Sequence, residues 1–311
     1  MHLARLAWLV LAWNVAVILW GAFVRATGSG AGCGAHWPLC NGEVLPRAAE
    51  LETLIEFTHR ATSGVALLLV WFLAYRVFRA RPAGHPARQA VAASVLFILS
   101  EAAVGAGLVL FRLVDQDESV ARALFMAVHL MNTFVLLACL TLTAHFCSTD
   151  TRPSLAARRA WPFALGAIAL LLVGASGAIA ALGDTLYPAR SILGGLRADV
   201  SPTAHLLVRL RLAHPLLAFG GAIAALSAAR RVLRRSDDEP SRRAARGVTG
   251  LVLLQMLIGL ANVALLAPVW MQLFHLLLAD LLWIAFVLLA VRSLSLPEPP
   301  GSQPATLAAA A

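Results

Sequence analysis

The chain contains no lysine, only two tyrosines and four cysteines, and 16 acidic residues among 311. Charged residues make up 13% of it, against about 25% in an ordinary soluble domain, and hydrophobic residues 60%, against about 45–50%. This scarcity of charge excludes a water-soluble globular enzyme. Four cysteines are too few for a disulfide scaffold, and the long apolar runs exclude a disordered chain. With a mean hydropathy of +0.79, what remains is a polytopic membrane protein.

All the basic side chains are arginine, 25 of them, for a net charge of +9. A basic chain can signal nucleic-acid binding. Here the arginines sit in short clusters between apolar segments, which is a topological pattern, and nucleic acid is set aside as a partner. A helical span needs about 20 mostly apolar residues. Eight segments qualify, at about 6–24, 57–78, 90–111, 122–147, 161–182, 203–229, 247–267 and 269–291. The first is too long for the apolar core of a signal peptide and lacks a small-residue cleavage site, so it reads as a retained span. A cytoplasmic N-terminus puts 16 of the 25 arginines inside, in clusters around Arg79, Arg158, Arg234 and Arg243. That balance predicts a multi-pass protein of the cell (inner) membrane with both termini cytoplasmic.

The outer loops then differ in kind. The first, at about 25–56, carries Cys33, Cys40 and four glycines between Gly28 and Gly34; 112–121 is short and acidic; 184–202 is of medium length. Gly28-Ser29-Gly30-Ala31-Gly32 has no strand before it and reads as a turn, not a nucleotide loop. The Pro- and Ala-rich tail, 297–311, is expected to be disordered and cytoplasmic.

A duplication runs through the spans. His59 and His214 lie 155 apart, Gly105 and Gly259 154 apart, Glu101 and Gln255 154 apart, and His129 and His275 146 apart. Halves with an even number of spans have parallel topology and a pseudo-twofold along the membrane normal. The expected fold is therefore an all-α integral membrane protein, its eight transmembrane helices forming two duplicated four-helix bundles. One half covers 1–150, the other 151–296.

The four repeat-related histidines fall on spans two, four, six and eight, all in the outer half of the bilayer. An imidazole in hydrocarbon is expensive and usually paired or functional. Two bis-imidazole sites follow, His59 with His129 and His214 with His275, each suited to haem iron inside a four-helix bundle. The competing reading is four separate core histidines bonded to carbonyls. His145 lies 16 residues beyond His129, about 24 Å deeper at about 1.5 Å per residue. It has no obvious partner at that depth. His36, His85 and His205 read as solvated.

Glu56 precedes His59 by three residues, on the same helical face. It is placed to orient the imidazole, act as a base, or simply pair with Arg60. The second half offers Arg209 and Arg211 near the equivalent place, cations suited to haem propionates. The first half is thus expected to be reactive and the second structural or electron-carrying. Cys33 and Cys40 favour a disulfide in an oxidising compartment over a thiol redox or metal role. Cys139 and Cys147, about 12 Å apart along one helix, read as apolar fillers. Glu101 is a buried acid, either a proton relay or a hydrogen-bond partner. Asn132, Gln255 and Asn262 read as interhelical hydrogen-bond partners, and Gly105, Gly107 and Gly259 as sites of close helix contact.

The run Gly21-Ala22-Phe23-Val24-Arg25-Ala26-Thr27-Gly28-Ser29-Gly30, then Cys33, Trp37-Pro38-Leu39-Cys40-Asn41-Gly42 and Glu56-Phe57-Thr58-His59-Arg60, resembles heme A synthase. Arg211-Leu212-Ala213-His214-Pro215 and Phe274-His275-Leu276 fit the same family, and the resemblance covers residues 5–292. It implies an oxidoreductase that turns a ring methyl of haem O into a formyl group, giving haem A for cytochrome oxidase. It also implies haem b on His214 and His275, substrate haem flanked by His59 and His129, Glu56 as the catalytic acid, and a Cys33–Cys40 disulfide. Haem O synthase and cytochrome oxidase assembly factors are the implied partners, within membrane lipid; a homo-oligomer is left open. Some members carry a second cysteine pair in the third outer loop, and residues 184–202 hold none. The alternatives are a non-catalytic diheme b-type cytochrome exchanging electrons with quinone, and a haem transporter or chaperone.

Overall fold

A computed structural model describes residues 2–47, 50–149, 151, 153 and 157–295. The expected disordered tail, 297–311, lies outside the described residues, as does Arg152 of the inner arginine clusters. Ten α-helices are found among the described residues: α1 (Leu3–Ala26), α2 (Leu51–Ala80), α3 (Pro86–Leu110), α4 (Val120–Ser148), α5 (Ala157–Leu186), α6 (Ile192–Val200), α7 (Leu206–Leu210), α8 (Ala213–Arg235), α9 (Glu239–Ala264) and α10 (Val269–Ser295). No strand is present among them, only an isolated bridge between Cys40 and Glu43.

Eight of these elements, counting α7 with α8, are long and apolar enough to cross a membrane, one for each expected span. Most run several residues beyond the apolar stretch, because polar caps and arginine-rich turns lie outside it. Ser119 Oγ accepts from Arg122 N–H at the start of α4 (3.1 Å), and Asp238 Oδ2 accepts from Ser241 N–H at the start of α9 (2.8 Å). Ser241, through its side chain and then its backbone N–H, holds the Asp238 carboxyl below its ordinary range. His85 and His205 are caps as well, their Nδ1 atoms accepting from Ala87 N–H (3.2 Å) and Leu207 N–H (3.3 Å). This corrects the expectation that both are simply solvated.

Two further expectations change. The sixth span is broken rather than continuous: α7 ends at Leu210, and His214 N–H donates to Arg211 O (3.2 Å) in a tight turn that starts α8. The segment 184–202 is not all loop, since it carries α6, capped by Ser191 Oγ accepting from Gly194 N–H (3.1 Å).

Helix α1 packs on α2 and α4, α3 on α4, α5 on α8, and α9 on α8 and α10, while α4 also meets α5 and α10. The main apolar core runs through Val70, Leu73, Leu137, Leu140, Val248, Phe286 and Leu289, and a smaller cluster gathers Ala123, Leu182 and Leu207. At the centre of the main core Trp283 stacks on Phe134 (5.7 Å between ring centres) and donates from Nε1 to Phe134 O (2.6 Å). Leu68, Leu216 and Leu260, 69–72% exposed, point away from the bundle. In a membrane that outer surface faces hydrocarbon, where helices satisfy their own backbone groups.

Candidate functional site

The four predicted histidines lie on four different helices, α2, α4, α8 and α10, and each stands against a glycine of a neighbouring helix. A Cβ at Gly21 would lie 2.8 Å from His59 Cε1, at Gly105 3.8 Å from His129 Cε1, and at Gly177 and Gly259 3.1 Å from Cε1 of His214 and His275. Gly105 and Gly259 were expected at close contacts. Gly21 and Gly177 were not, although their spacing of 156 nearly matches that of the histidines they face. Gly107, also expected, packs against the Phe125 ring.

His214 and His275 face each other with ring centres 6.3 Å apart and planes at 90°. Ser176 Oγ lies 3.2 Å from His214 Nδ1. Gln255 Nε2 is 3.4 Å from His275 Nε2 and donates to His275 O (3.2 Å). In the first half, Glu101 and His129 are titratable neighbours of His59, whose buried Nδ1 has no hydrogen-bond partner among the described residues. His129 Nδ1 is 3.3 Å from Glu101 Oε1, an ion-pair contact and not an aligned hydrogen bond.

These donors fit a haem. Two in-line imidazole–metal bonds of about 2 Å place ring centres roughly 6 Å apart, which is the separation of His214 and His275. Nδ1 of His59 and of His275 has no hydrogen-bond partner among the described residues, and each of the four rings stands against a glycine. Among the described residues, no group of three or more His, Cys, Asp or Glu side chains is placed to hold a metal ion.

Glu56 is 3% exposed and both its oxygens are engaged. Cys33 N–H donates to Oε2 (2.8 Å), and Arg60 donates to Oε1 from Nε (3.0 Å) and from a terminal nitrogen. Arg60 Nη1 also reaches the carbonyls of His36 (2.5 Å) and Leu39 (2.7 Å), and Thr53 Oγ1 donates to Gly32 O (2.7 Å). Cys33 and Cys40 form a disulfide with Cα atoms 4.4 Å apart. Glu56 and Arg60 thus latch the disulfide loop onto α2. A Cβ at Gly32 would meet the Glu52 carbonyl at 2.5 Å, so this close approach demands glycine.

Arg211 is held by acids: Nε donates to Asp199 Oδ1 (2.9 Å), Nη1 to Asp184 Oδ1 (3.1 Å) and to Tyr187 O (3.2 Å). Arg209 is exposed. Tyr187 OH donates to Glu118, tying the third loop to the second, and this carboxylate pushes the phenol up to about 12. Its ring also stacks on His205 (5.1 Å).

Reading along the sequence missed three elements. Arg25 joins α1 to α5 and α10, donating to Ala181 O (2.8 Å), Thr185 Oγ1 and Gln272 Oε1 (2.9 Å). Ser176 carries no sequence signal beyond lying in an apolar run. Asp280 is fully buried on α10, with neither oxygen partnered among the described residues; a lone acid in an apolar span was the available sign. His145 is buried as well, its Nε2 unpartnered among them, and Cys139 and Cys147 are free and buried. Asn132 and Gln255 make the interhelical bonds expected of them, whereas the Asn262 amide oxygen is buried without a partner.

The sequence profile of the COX15-CtaA family, described as cytochrome oxidase assembly protein, matches residues 4–287. A protein of Thermus thermophilus named protoheme IX farnesyltransferase is 51% identical over 94% of this chain and 48% of its own length. Proteins named heme A synthase from Alkalihalophilus pseudofirmus and Staphylococcus carnosus are 42% and 41% identical, over 30% and 35% of this chain and 32% and 35% of theirs. The chain therefore spans about half the length of the Thermus protein and aligns with about a third of each of the other two.

Proposed function

Because the chain belongs to the COX15-CtaA family of cytochrome oxidase assembly proteins, we propose that it oxidises a ring methyl of haem O to a formyl group, giving haem A. The observation that carries this reading is the pair of facing imidazoles in the second half beside an acid-bearing imidazole pair in the first. His214 and His275 would hold haem b, which when bound supplies one-electron exchange. His59 and His129 would flank the substrate. Glu56 takes up a proton as hydrogen leaves the methyl carbon, while Arg60 and Cys33 N–H hold its carboxylate in place. The latched disulfide loop closes that end of the first half against water. Two successive two-electron oxidations carry the methyl through an alcohol to a hydrated aldehyde, which loses water to give the formyl group; in balance one water oxygen enters, and four protons and four electrons leave, the electrons to an external oxidant.

The Thermus relative supports a partner as well. Its name describes farnesylation of protohaem, chemistry that makes the farnesylated haem this site would receive, and 48% of it aligns with this chain. We infer that a haem O synthase passes substrate within the membrane and that oxidase assembly factors receive the product. The protein sits in this reading in the cell membrane, termini cytoplasmic, with the site toward the outer face. The same relative's name favours a second reading, in which this region itself takes part in farnesyl transfer.

One assay separates them. Purified protein is incubated with haem O, or with protohaem and farnesyl diphosphate, and the extracted pigments are identified. Haem A from haem O supports the proposal, and haem O from protohaem supports the second reading. Unchanged haem in both arms points to an electron-transfer cytochrome or a haem carrier. Glu56→Ala is expected to stop formyl production while haem b stays bound; full activity removes Glu56 from the mechanism.

A further inference from the structure

The two halves differ most beside one histidine. In the first half Glu101 is the hub of a half-buried polar group. Its Oε1 lies 3.3 Å from His129 Nδ1 and accepts from Thr133 Oγ1, and its Oε2 accepts from Asn132 Nδ2 (2.5 Å). Asn132 in turn donates to Phe97 O (2.9 Å) and accepts from Ser100 Oγ (2.6 Å). Thr133 Oγ1 also bonds His129 O (2.9 Å). At the repeat-related positions the second half has Leu254 for Ser100, Gln255 for Glu101, Leu278 for Asn132 and Ala279 for Thr133. There, a neutral amide meets His275 at Nε2 (3.4 Å) and at its carbonyl (3.2 Å), Nδ1 has no hydrogen-bond partner among the described residues, and the leucines and alanine offer no supporting hydroxyl or amide.

A carboxylate charge 3.3 Å from the Nδ1 of a metal-ligating imidazole favours positive charge on that ring and so raises its basicity as a ligand. A more basic axial ligand stabilises the oxidised metal, and hydrogen bonding beyond the ligand is one of the protein's means of setting a haem potential. An amide has no such charge. Two donors, Thr133 Oγ1 and Asn132 Nδ2, hold the Glu101 carboxylate in place, and Ser100 steadies Asn132 in turn.

We infer that Glu101 is a positioning residue that orients His129 and lowers the reduction potential of iron bound there, making first-half iron easier to oxidise than second-half iron. This rests on the reading of His129 and His275 as haem ligands. The test uses the full chain in detergent, loaded with haem, with haem content measured before a spectroelectrochemical titration. Glu101→Gln is expected to shift one midpoint upward by a tenfold change in the oxidised-to-reduced ratio, about 59 mV for one electron, and to leave the other unmoved. Glu101→Asp, which keeps the charge but draws it back by one methylene, is expected to raise the same midpoint by a smaller amount. A Glu101→Gln protein holding both haems at unchanged potentials overturns the inference. Where Glu101→Gln fails to keep the first-half haem, Glu101→Asp decides, and an unmoved first-half midpoint overturns it equally. A parent protein that takes up no haem removes the functional reading and this one together, whereas two bound haems with unmoved potentials remove only the role of Glu101.

Discussion

Replacing Gly21 with alanine sets a methyl 2.8 Å from His59 Cε1 and 3.1 Å from its Nε2. Ordinary carbon contacts lie at about 3.5–4.0 Å, so the ring must yield by about 0.7 Å or more. The same change at Gly105 puts the methyl 3.8 Å from His129 Cε1, an ordinary contact. Both glycines are inside helices, α1 and α3, where alanine is favoured by about 1 kcal/mol. Overpacking at Gly21 costs about 1–3 kcal/mol, so the net effect on folding is at most about 2 kcal/mol and the variant folds. The larger consequence is chemical, because misplacing a reacting group by about 1 Å can cost about 100-fold in rate. Under the function proposed above, Gly21→Ala is therefore expected to lower haem A formation by one to two orders of magnitude, with the haem proposed for His214 and His275 retained as a check on folding. Gly105→Ala is expected to stay within a few-fold of the parent, with an unchanged or raised melting temperature. Pigment analysis of the two variants, normalised to haem b, measures both. Equal turnover in the pair would refute the argument that glycine makes room for a fixed imidazole at Gly21.

Replacing Cys33 and Cys40 together with serine opens a loop of sequence separation 7, which loop-closure entropy values at about 2 kcal/mol. Faster proteolysis of residues 28–47 with the remaining helices intact is the expected result, and unchanged cleavage contradicts it. Tyr187, held up to about 12 by Glu118, keeps its proton in the folded protein where a free phenol near 10 has lost it. The stability from this contact is thus fully present below about pH 10 and is lost as pH rises through about 12. An ultraviolet phenolate titration in a Tyr75→Phe background reads this directly, and in the Glu118→Gln variant the transition should fall back toward 10.

The eight spans were legible because crossing hydrocarbon imposes a length and a composition that no other segment satisfies. Tight turns and caps were not. The break at Arg211–Leu212 lies in an apolar, helix-favouring run, and only the packing around His214 and Arg211 ends α7 there. His85 and His205 look like loop residues in a one-dimensional reading, yet each supplies the acceptor that a helix start lacks. At the site, the repeat offsets picked out His59, His129, His214 and His275, since an imidazole is costly in an apolar span wherever it points.

Polarity and spacing along the chain therefore determined the membrane class and the number of spans, because burial in hydrocarbon acts on composition alone, and they singled out four imidazoles as candidates. Only the tertiary structure decided what those groups meet. It closed Glu56 onto Arg60 and the disulfide loop, occupied Arg211 with Asp184 and Asp199, and set Arg25 between α5 and α10. Hydrogen bonds and ion pairs depend on distances of a few tenths of an ångström and on direction. Those are properties of helices packed against one another, and no single segment carries them.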